Sequence, residues 1–335
     1  MDLLVKENRN ICIIGKGSIG IRHGRILSKL GFKIFFLRQR KKKLNIKINY
    51  KYKDIYKIND LKRKKFNLYI ISNPSSKHID ALSKIISNNL SILIEKPIAS
   101  NILDLNKMKK LYEKFNINLF PGYQLRFDPR VKLMRKIINK RNKNLRYANF
   151  KLKTFFPNWH PWENYKISYA SQKKLGGGVL LTCSHEIDLA IHFFGKVKSV
   201  LCVKTISKFK TNGVENSIIL IIKHKKNGFI STLNLDFAYK NKEERLIDVI
   251  FEDSELKYDL IDKKLFIKKN YKSKILKPKN LLNRDGIFRK QNLDILSKIK
   301  SNNFRKPNFD NISQAEKVIF AAKKSIVSNK FEQIK

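Results

Sequence analysis

Cysteine is scarce in this sequence. The 335 residues hold three, Cys12, Cys183 and Cys202, far apart and without metal-ligand spacing. That excludes a disulfide scaffold and a zinc site, so no metal is expected; it fits a reducing cytoplasm, where we expect the protein to work. Long apolar runs are missing too. None reaches the ~20 residues that cross a bilayer, and no membrane partner is expected. The opening MDLLVKENRN lacks the apolar core of a secretory signal. Acidic residues are the third shortage: Asp and Glu number 27 against 73 Lys and Arg, a formal net charge of +46. Such an excess admits a binder of nucleic acid or of an anionic surface. Yet the lysines run with abundant Asn and Ile along the whole chain, as AT-rich codons would give, and form neither a tail nor a stripe. No specific nucleic-acid partner is therefore expected. The positive field can still attract an anionic substrate such as a nucleotide sugar.

What is present is enough chain for two domains and a sizeable core, with an ordinary 42% of hydrophobic residues. Short apolar runs over 10–14, 33–37, 68–72, 90–94 and 118–120 read as strands. Helical patterns follow the first, third and fourth of them, the third helix closing near residue 115. Strands alternating with helices predict a parallel sheet with right-handed crossovers. After Tyr123 the texture changes. Helices are predicted over 129–138, 179–194, 285–301 and 312–329, and β-rich runs over 146–156, 198–204, 216–223, 229–239, 246–252 and 255–260. The expected organisation is an α/β domain with a parallel sheet over 1–122, then an α+β domain on a mostly antiparallel sheet over 123–335.

The stretch GKGSIGIRHGRIL starts at Gly15, straight after the first strand. It reads as a turn cradling a dinucleotide phosphate, or as a mere tight turn between strand and helix. In the first reading Gly15 turns the backbone, Gly17 admits a pyrophosphate, and Gly20 lets the helix pack close. The helix start, Ser18 and Ile19, would then offer free amides to the phosphate. NAD-preferring sites carry a carboxylate about 20 residues further on. Here the second strand ends in LRQRKKK, with no carboxylate. Arg38 and Arg40 can instead hold a 2′-phosphate, so NADP(H) is expected over NAD(H), unless these bases only echo the composition.

Four more segments carry chemistry: SNPSSKHIDALSKII from Ser72, IEKPIAS from Ile94, GYQLRFDPRVKLMRKII from Gly122 and GGGVLLTCSHEIDLAIHFFG from Gly176. With the glycine turn, in this order and spacing, they resemble the Gfo/Idh/MocA oxidoreductase family over nearly the whole chain. The resemblance implies a Rossmann domain followed by an open-faced sheet domain. It places Ser72, Asn73, Pro74, His78, Glu95 and Lys96 at the cofactor, beside the glycine turn. It makes Lys96 the catalytic lysine, aimed by a cis peptide at Pro97, with His185 as the catalytic histidine. An ammonium beside the reacting oxygen stabilises alkoxide character, and an imidazole titrates near neutrality. Asp188, three residues on and on the same helical face, can orient the ring or bind a sugar hydroxyl. One departure stands out. Where many members have an aspartate four residues before the histidine, this chain has Leu181, with Thr182 beside it. Either Lys96 and His185 suffice or catalysis is weakened. The wording GGGVLLT-x-SHEID resembles subgroups that act on sugars in surface-polysaccharide pathways.

The segment before the histidine carries Trp159, His160, Trp162, Tyr165 and Tyr169 among polar groups. It can line a pyranose site, pack a loop, or meet another subunit. Arg126, Lys174 and Thr182 are candidates for contact with the substrate. The expected activity is hydride transfer between nicotinamide and a hydroxyl or ketone carbon of a sugar or nucleotide sugar. A non-catalytic NAD(P)-binding regulator and a cyclitol or polyol dehydrogenase are the alternatives. A homo-oligomer, dimer or tetramer, is implied by the resemblance.

Overall fold

The computed structural model describes residues 9–38, 47–159, 164–206, 211, 213–301 and 304–334. The chain divides into two compact units: Met1–Phe127 with Leu282–Ile312, and Asp128–Leu281 with Ser313–Lys335.

The first unit carries strands β1 (Asn10–Ile14), β2 (Lys33–Leu37), β3 (Tyr52–Ile55), β4 (Leu68–Ile71), β5 (Ser91–Ile94) and β6 (Asn118–Pro121). Between them lie helices α1 (Ser18–Lys29), α2 (Ile58–Lys62), α3 (His78–Ile85) and α4 (Ile102–Lys114). The sheet order is β3-β2-β1-β4-β5-β6, and every pairing is parallel. All residues of β4 and β5 are buried, which is why the apolar runs LYII and SILI betray them. The expected parallel α/β domain is thus present. Strand order reverses between β1 and β4, so a crevice opens beyond their carboxyl ends. Strand β3 and helix α2 were not legible in the sequence. Only one of the four residues of β3 is buried, so it carries no hydrophobic signature.

The second unit begins with α5 (Pro129–Lys140), β7 (Leu145–Lys153), α6 (Phe156–Trp159), α7 (Val179–Thr182) and α8 (Ser184–Phe194). Strands β8 (Val197–Lys204), β9 (Ser217–His224), β10 (Ile230–Asp236), β11 (Glu244–Phe251), β12 (Glu255–Asp259), β13 (Lys264–Lys269) and β14 (Lys272–Leu276) follow. Helices α9 (Arg284–Lys300) and α10 (Phe309–Ile312) belong to the first unit; α11 (Gln314–Ser328) and β15 (Glu332–Gln333) return to the second. The second sheet has nine strands in the order β14-β13-β12-β11-β7-β10-β9-β8-β15. It is antiparallel except where β10 pairs with β7. One face alternates into the core, as in β9, where Ile218, Leu220, Ile222 and His224 are buried. Tyr147, Val203, Ile219 and Ile230 stand exposed. The helix expected over 179–194 is two helices, divided at Cys183, and His185 lies in the first turn of the second, near a helix start as expected.

The compact units divide at Phe127, and of the two helices predicted to close the chain α9 packs with the first unit and α11 with the second. The reason is packing. Ile295 and Leu296 of α9 join the core of Ile11, Ile13, Leu27, Ile34 and Ile70.

His224 gives a measurable consequence of burial. Its Nδ1–H donates to the Gly195 carbonyl (3.0 Å) and its Nε2 lies 2.9 Å from the Ser231 hydroxyl, in a fully buried setting. Desolvation lowers its pKa to about 4. Below about pH 6.5 the unfolded chain takes up this proton and the folded chain does not, so stability falls with pH until the folded site also protonates near pH 4. The loss is up to about 1.4 kcal/mol per pH unit. Chemical denaturation at pH 7 and pH 4.5 checks it: His224→Gln is expected to flatten the slope in that window.

Candidate active site

The glycine turn closes on its own backbone. Gly15 has φ +103°, and a Cβ there would lie 2.5 Å from the amide nitrogen of Asn73. Ser72 Oγ donates to the Gly15 carbonyl at 3.0 Å and pins the turn. A Cβ on Gly17 would meet nothing within 4 Å. Gly17 caps α1 and, as a glycine, lays no side chain of its own over the amides at the helix start. An open cradle at the start of a 12-residue helix fits a dinucleotide pyrophosphate. Pro74 leads into a short 3-10 turn, and His78 opens α3. His78 is buried and its Nε2–H donates to the Asn73 carbonyl at 2.9 Å. Burial lowers its pKa, so it acts as a neutral clamp on the 73–74 loop.

At the ribose end the sequence shows no carboxylate after β2; the fold supplies one. Asp54 of β3 accepts from Arg38 Nη1 at 2.9 Å and from Lys16 Nζ at 3.0 and 3.1 Å. The hydrogen bond to Asp54 raises the Arg38 pKa further above its ordinary value. Arg40 lies outside the described residues. Lys16 and Asp54 were missed in the sequence. Lys16 was visible inside the glycine turn itself; Asp54 had no local signal, because only parallel pairing of β2 and β3 brings it there.

Glu95, Lys96 and Pro97 follow β5, and the Lys96–Pro97 peptide is cis. The Glu95 amide bonds the Ile71 carbonyl (2.8 Å) and the Gly122 amide bonds Ile94 (2.7 Å), so the strand end is held from both sides. Glu95 turns its carboxylate inward. Oε1 accepts Nε2–H of the fully buried His23 at 3.0 Å, and the His23 Nδ1 lies 3.2 Å from the side-chain amide of Asn292 on α9. Oε2 lies 3.4 Å from the Lys96 amide. Glu95, expected at the cofactor, therefore braces the strand end that carries Lys96. Asn292 was not foreseen, since α9 was assigned to the other domain. Arg126 sits in the 3-10 turn Gln124–Phe127, its guanidinium 5.7 Å from the Tyr123 ring centroid.

In the second unit, Gly178 has φ +105°, and a Cβ there would strike the Glu215 carboxylate at 2.4 Å. That carboxylate accepts the Leu180 amide at 3.2 Å and so caps α7. Thr182 ends α7; His185 and Asp188 lie in the first turns of α8, all three buried. Leu181, at the position of the family's aspartate, is also buried. Beside His185, Glu186 accepts Arg245 Nε at 2.8 Å and fixes α8 to β11. Arg245, like Lys16, Asp54 and Asn292, was missed in the sequence. Tyr165 packs edge-on against Phe156, 6.2 Å between centroids, which is the loop-packing alternative for that aromatic. Trp162 and the Trp159 side chain lie outside the described residues, as does His160. The structure brings the glycine turn, Ser72, Asn73, His78, Arg38, Glu95 and Lys96 to the carboxyl edge of one sheet. It gathers Thr182, His185 and Asp188 on a separate unit.

A Rossmann sheet of this order with an open phosphate cradle defines a dinucleotide-binding protein. The profile of the Gfo/Idh/MocA oxidoreductase family, NAD-binding Rossmann fold, matches residues 9–123, and that of its C-terminal domain matches residues 149–257. The chain belongs to this family and is an NAD(P)-binding oxidoreductase. It is 33% identical to the rhizopine catabolism protein MocA of Rhizobium meliloti over 66 residues, a stretch that spans 20% of this chain and only 21% of that relative. Among solved structures it is similar to an NAD-binding oxidoreductase from Klebsiella pneumoniae, at 15% identity and a TM-score of 0.79, covering 98% of this chain and 100% of that one. It is likewise similar to a levoglucosan dehydrogenase in complex with NADH, at 14% identity and a TM-score of 0.83, covering 98% and 100%. Among the described residues, no helix is long and apolar enough to cross a membrane.

Proposed function

We propose that this chain is an NADP(H)-dependent oxidoreductase acting on a hydroxyl or ketone carbon of a sugar or nucleotide sugar, in surface-polysaccharide biosynthesis. The observation that carries the reading is Lys96 on a braced strand end, at the carboxyl edge that also holds the phosphate cradle. Bound nicotinamide supplies the hydride acceptor or donor. Lys96 Nζ donates a hydrogen bond to the reacting oxygen and stabilises its developing negative charge. His185 takes the hydroxyl proton in oxidation and returns it in reduction. Asp188, one turn along α8, orients that ring or binds a substrate hydroxyl. Thr182, Arg126, Tyr165 and the tryptophans Trp159 and Trp162 are assigned to the substrate. Lys16 and Arg38 support the choice of NADP(H), and Arg40 follows Arg38 closely in sequence.

The test is turnover of a panel of sugars, nucleotide sugars and cyclitols with each nicotinamide nucleotide. Turnover of a sugar substrate with NADPH preferred supports the reading; turnover of cyclitols alone moves the substrate class to polyols. His185→Asn is expected to lower kcat by about 10²-fold and to flatten its pH profile near neutrality. An unchanged profile would remove His185 from proton transfer. Three buried cysteines, none of them in a disulfide, and a nicotinamide cofactor favour the cytoplasm. The exposed Tyr147, Val203, Ile219 and Ile230 favour a homo-oligomer built on that sheet face, which light scattering checks.

A further inference from the structure

We infer that Asp54 sets the balance between NADP(H) and NAD(H) by competing with a 2′-phosphate for Lys16 and Arg38. The inference rests on the nucleotide-binding reading of the glycine turn.

The sheet register builds the cluster. Leu37 of β2 stands beside Ile14 of β1 on one side and Ile55 of β3 on the other. The carboxyl ends of three strands are therefore level, and the Arg38 amide bonds the Ile55 carbonyl at 2.9 Å. Lys16 from the glycine turn, Arg38 after β2 and Asp54 on β3 converge there. Asp54 receives both cations, and the Tyr56 hydroxyl lies 3.5 Å away. The Lys16 ammonium also lies 3.9 Å from the Tyr52 ring centroid. The side chains are largely shielded, at 6% exposure for Lys16, 13% for Arg38 and 18% for Asp54.

Charge then decides. Among the described residues two cations face this carboxylate, so the trio of Lys16, Arg38 and Asp54 is net positive by one. With its oxygens engaged by ammonium and guanidinium, Asp54 has little left to offer a ribose 2′-hydroxyl, the usual task of an acid at this end. A 2′-phosphate wants the same donors that Asp54 now holds. It is a dianion that carries several acceptor oxygens, and it meets a nearby like charge. The carboxylate is an internal stand-in for the phosphate: it keeps the two cations ordered while the nucleotide is away, and it weakens the preference for NADP(H) that they would otherwise impose.

Asp54→Asn keeps the shape and removes the charge. The experiment is fluorescence titration of wild-type, Asp54→Asn and Arg38→Ala proteins with NADPH and with NADH at one fixed salt concentration. Circular dichroism checks the fold, and Asp54→Ser serves as a second charge-removing variant. Asp54→Asn is expected to tighten NADPH by about tenfold, so that the NADPH/NADH selectivity rises, whereas Arg38→Ala is expected to lower that selectivity by a similar factor. An NADPH affinity within about twofold of wild type in both Asp54 variants overturns the inference. So does a selectivity change that comes from weakened NADH, which would make Asp54 a ribose-hydroxyl acceptor. The wild-type selectivity separately tests the NADP(H) preference. Wild-type protein that binds neither nucleotide overturns the reading of the turn, and this inference with it.

Discussion

Replacing Lys96 with alanine is expected to lower kcat by about 10³-fold, with NADPH affinity held within about threefold. The asymmetry follows from where Lys96 sits. Strand β5 is wholly buried, and the residue after it, Glu95, is locked to His23. Backbone bonds to Ile71 and from Gly122 fix the strand end on both flanks. Removing the Lys96 side chain should therefore leave the backbone and the phosphate cradle in place. On the proposed mechanism, what is lost is a donor to the oxygen where charge develops, an interaction that strengthens in the transition state and so acts on kcat. Lys96→Arg keeps the charge but spreads it over a planar fork, and is expected to recover only part of the rate. Steady-state kinetics with the substrate found in the panel checks both variants. A Lys96→Ala enzyme with wild-type turnover would make Lys96 an ordinary loop charge.

The second large effect concerns Gly20. A Cβ there would lie 2.0 Å from the Gly15 carbonyl oxygen and 2.7 Å from Ser72 Oγ. The first neighbour is backbone and has no rotamer to escape into. Gly20→Val is expected to cost about 3 kcal/mol of stability and to weaken NADPH binding by more than about 10²-fold, because the helix start must back away from the turn. Urea unfolding and nucleotide titration measure the two losses. Gly17 provides the contrast: a methyl group there would enter open space, so Gly17→Ala is expected to change stability by less than about 0.5 kcal/mol while still impeding the phosphate. If Gly17→Ala binds NADPH as well as wild type, the cradle is only a structural turn.

Much of the first sheet was legible because its central strands are buried on both faces and so read as unbroken apolar runs; β3, at the edge and mostly exposed, was not. The same contrast governs the second sheet. Alternating strands such as β9 and β10 announce themselves, whereas β13 and β14 are exposed and rich in lysine. Lys96 and His185 were named from motifs, which are local. Asn292, Asp54 and Arg245 were not, since each reaches its partner across a long span of chain.

By itself the sequence determined the parallel α/β unit, the glycine turn, the lysine before proline and the histidine near a helix start. All of these are written in contiguous residues, where apolar periodicity and backbone geometry act. Only the tertiary structure decided that α9 closes the first unit, that Glu95 braces its strand by way of His23, and that Asp54 sits between two cations. Those outcomes depend on sheet order and register, which bring together residues that no local pattern connects.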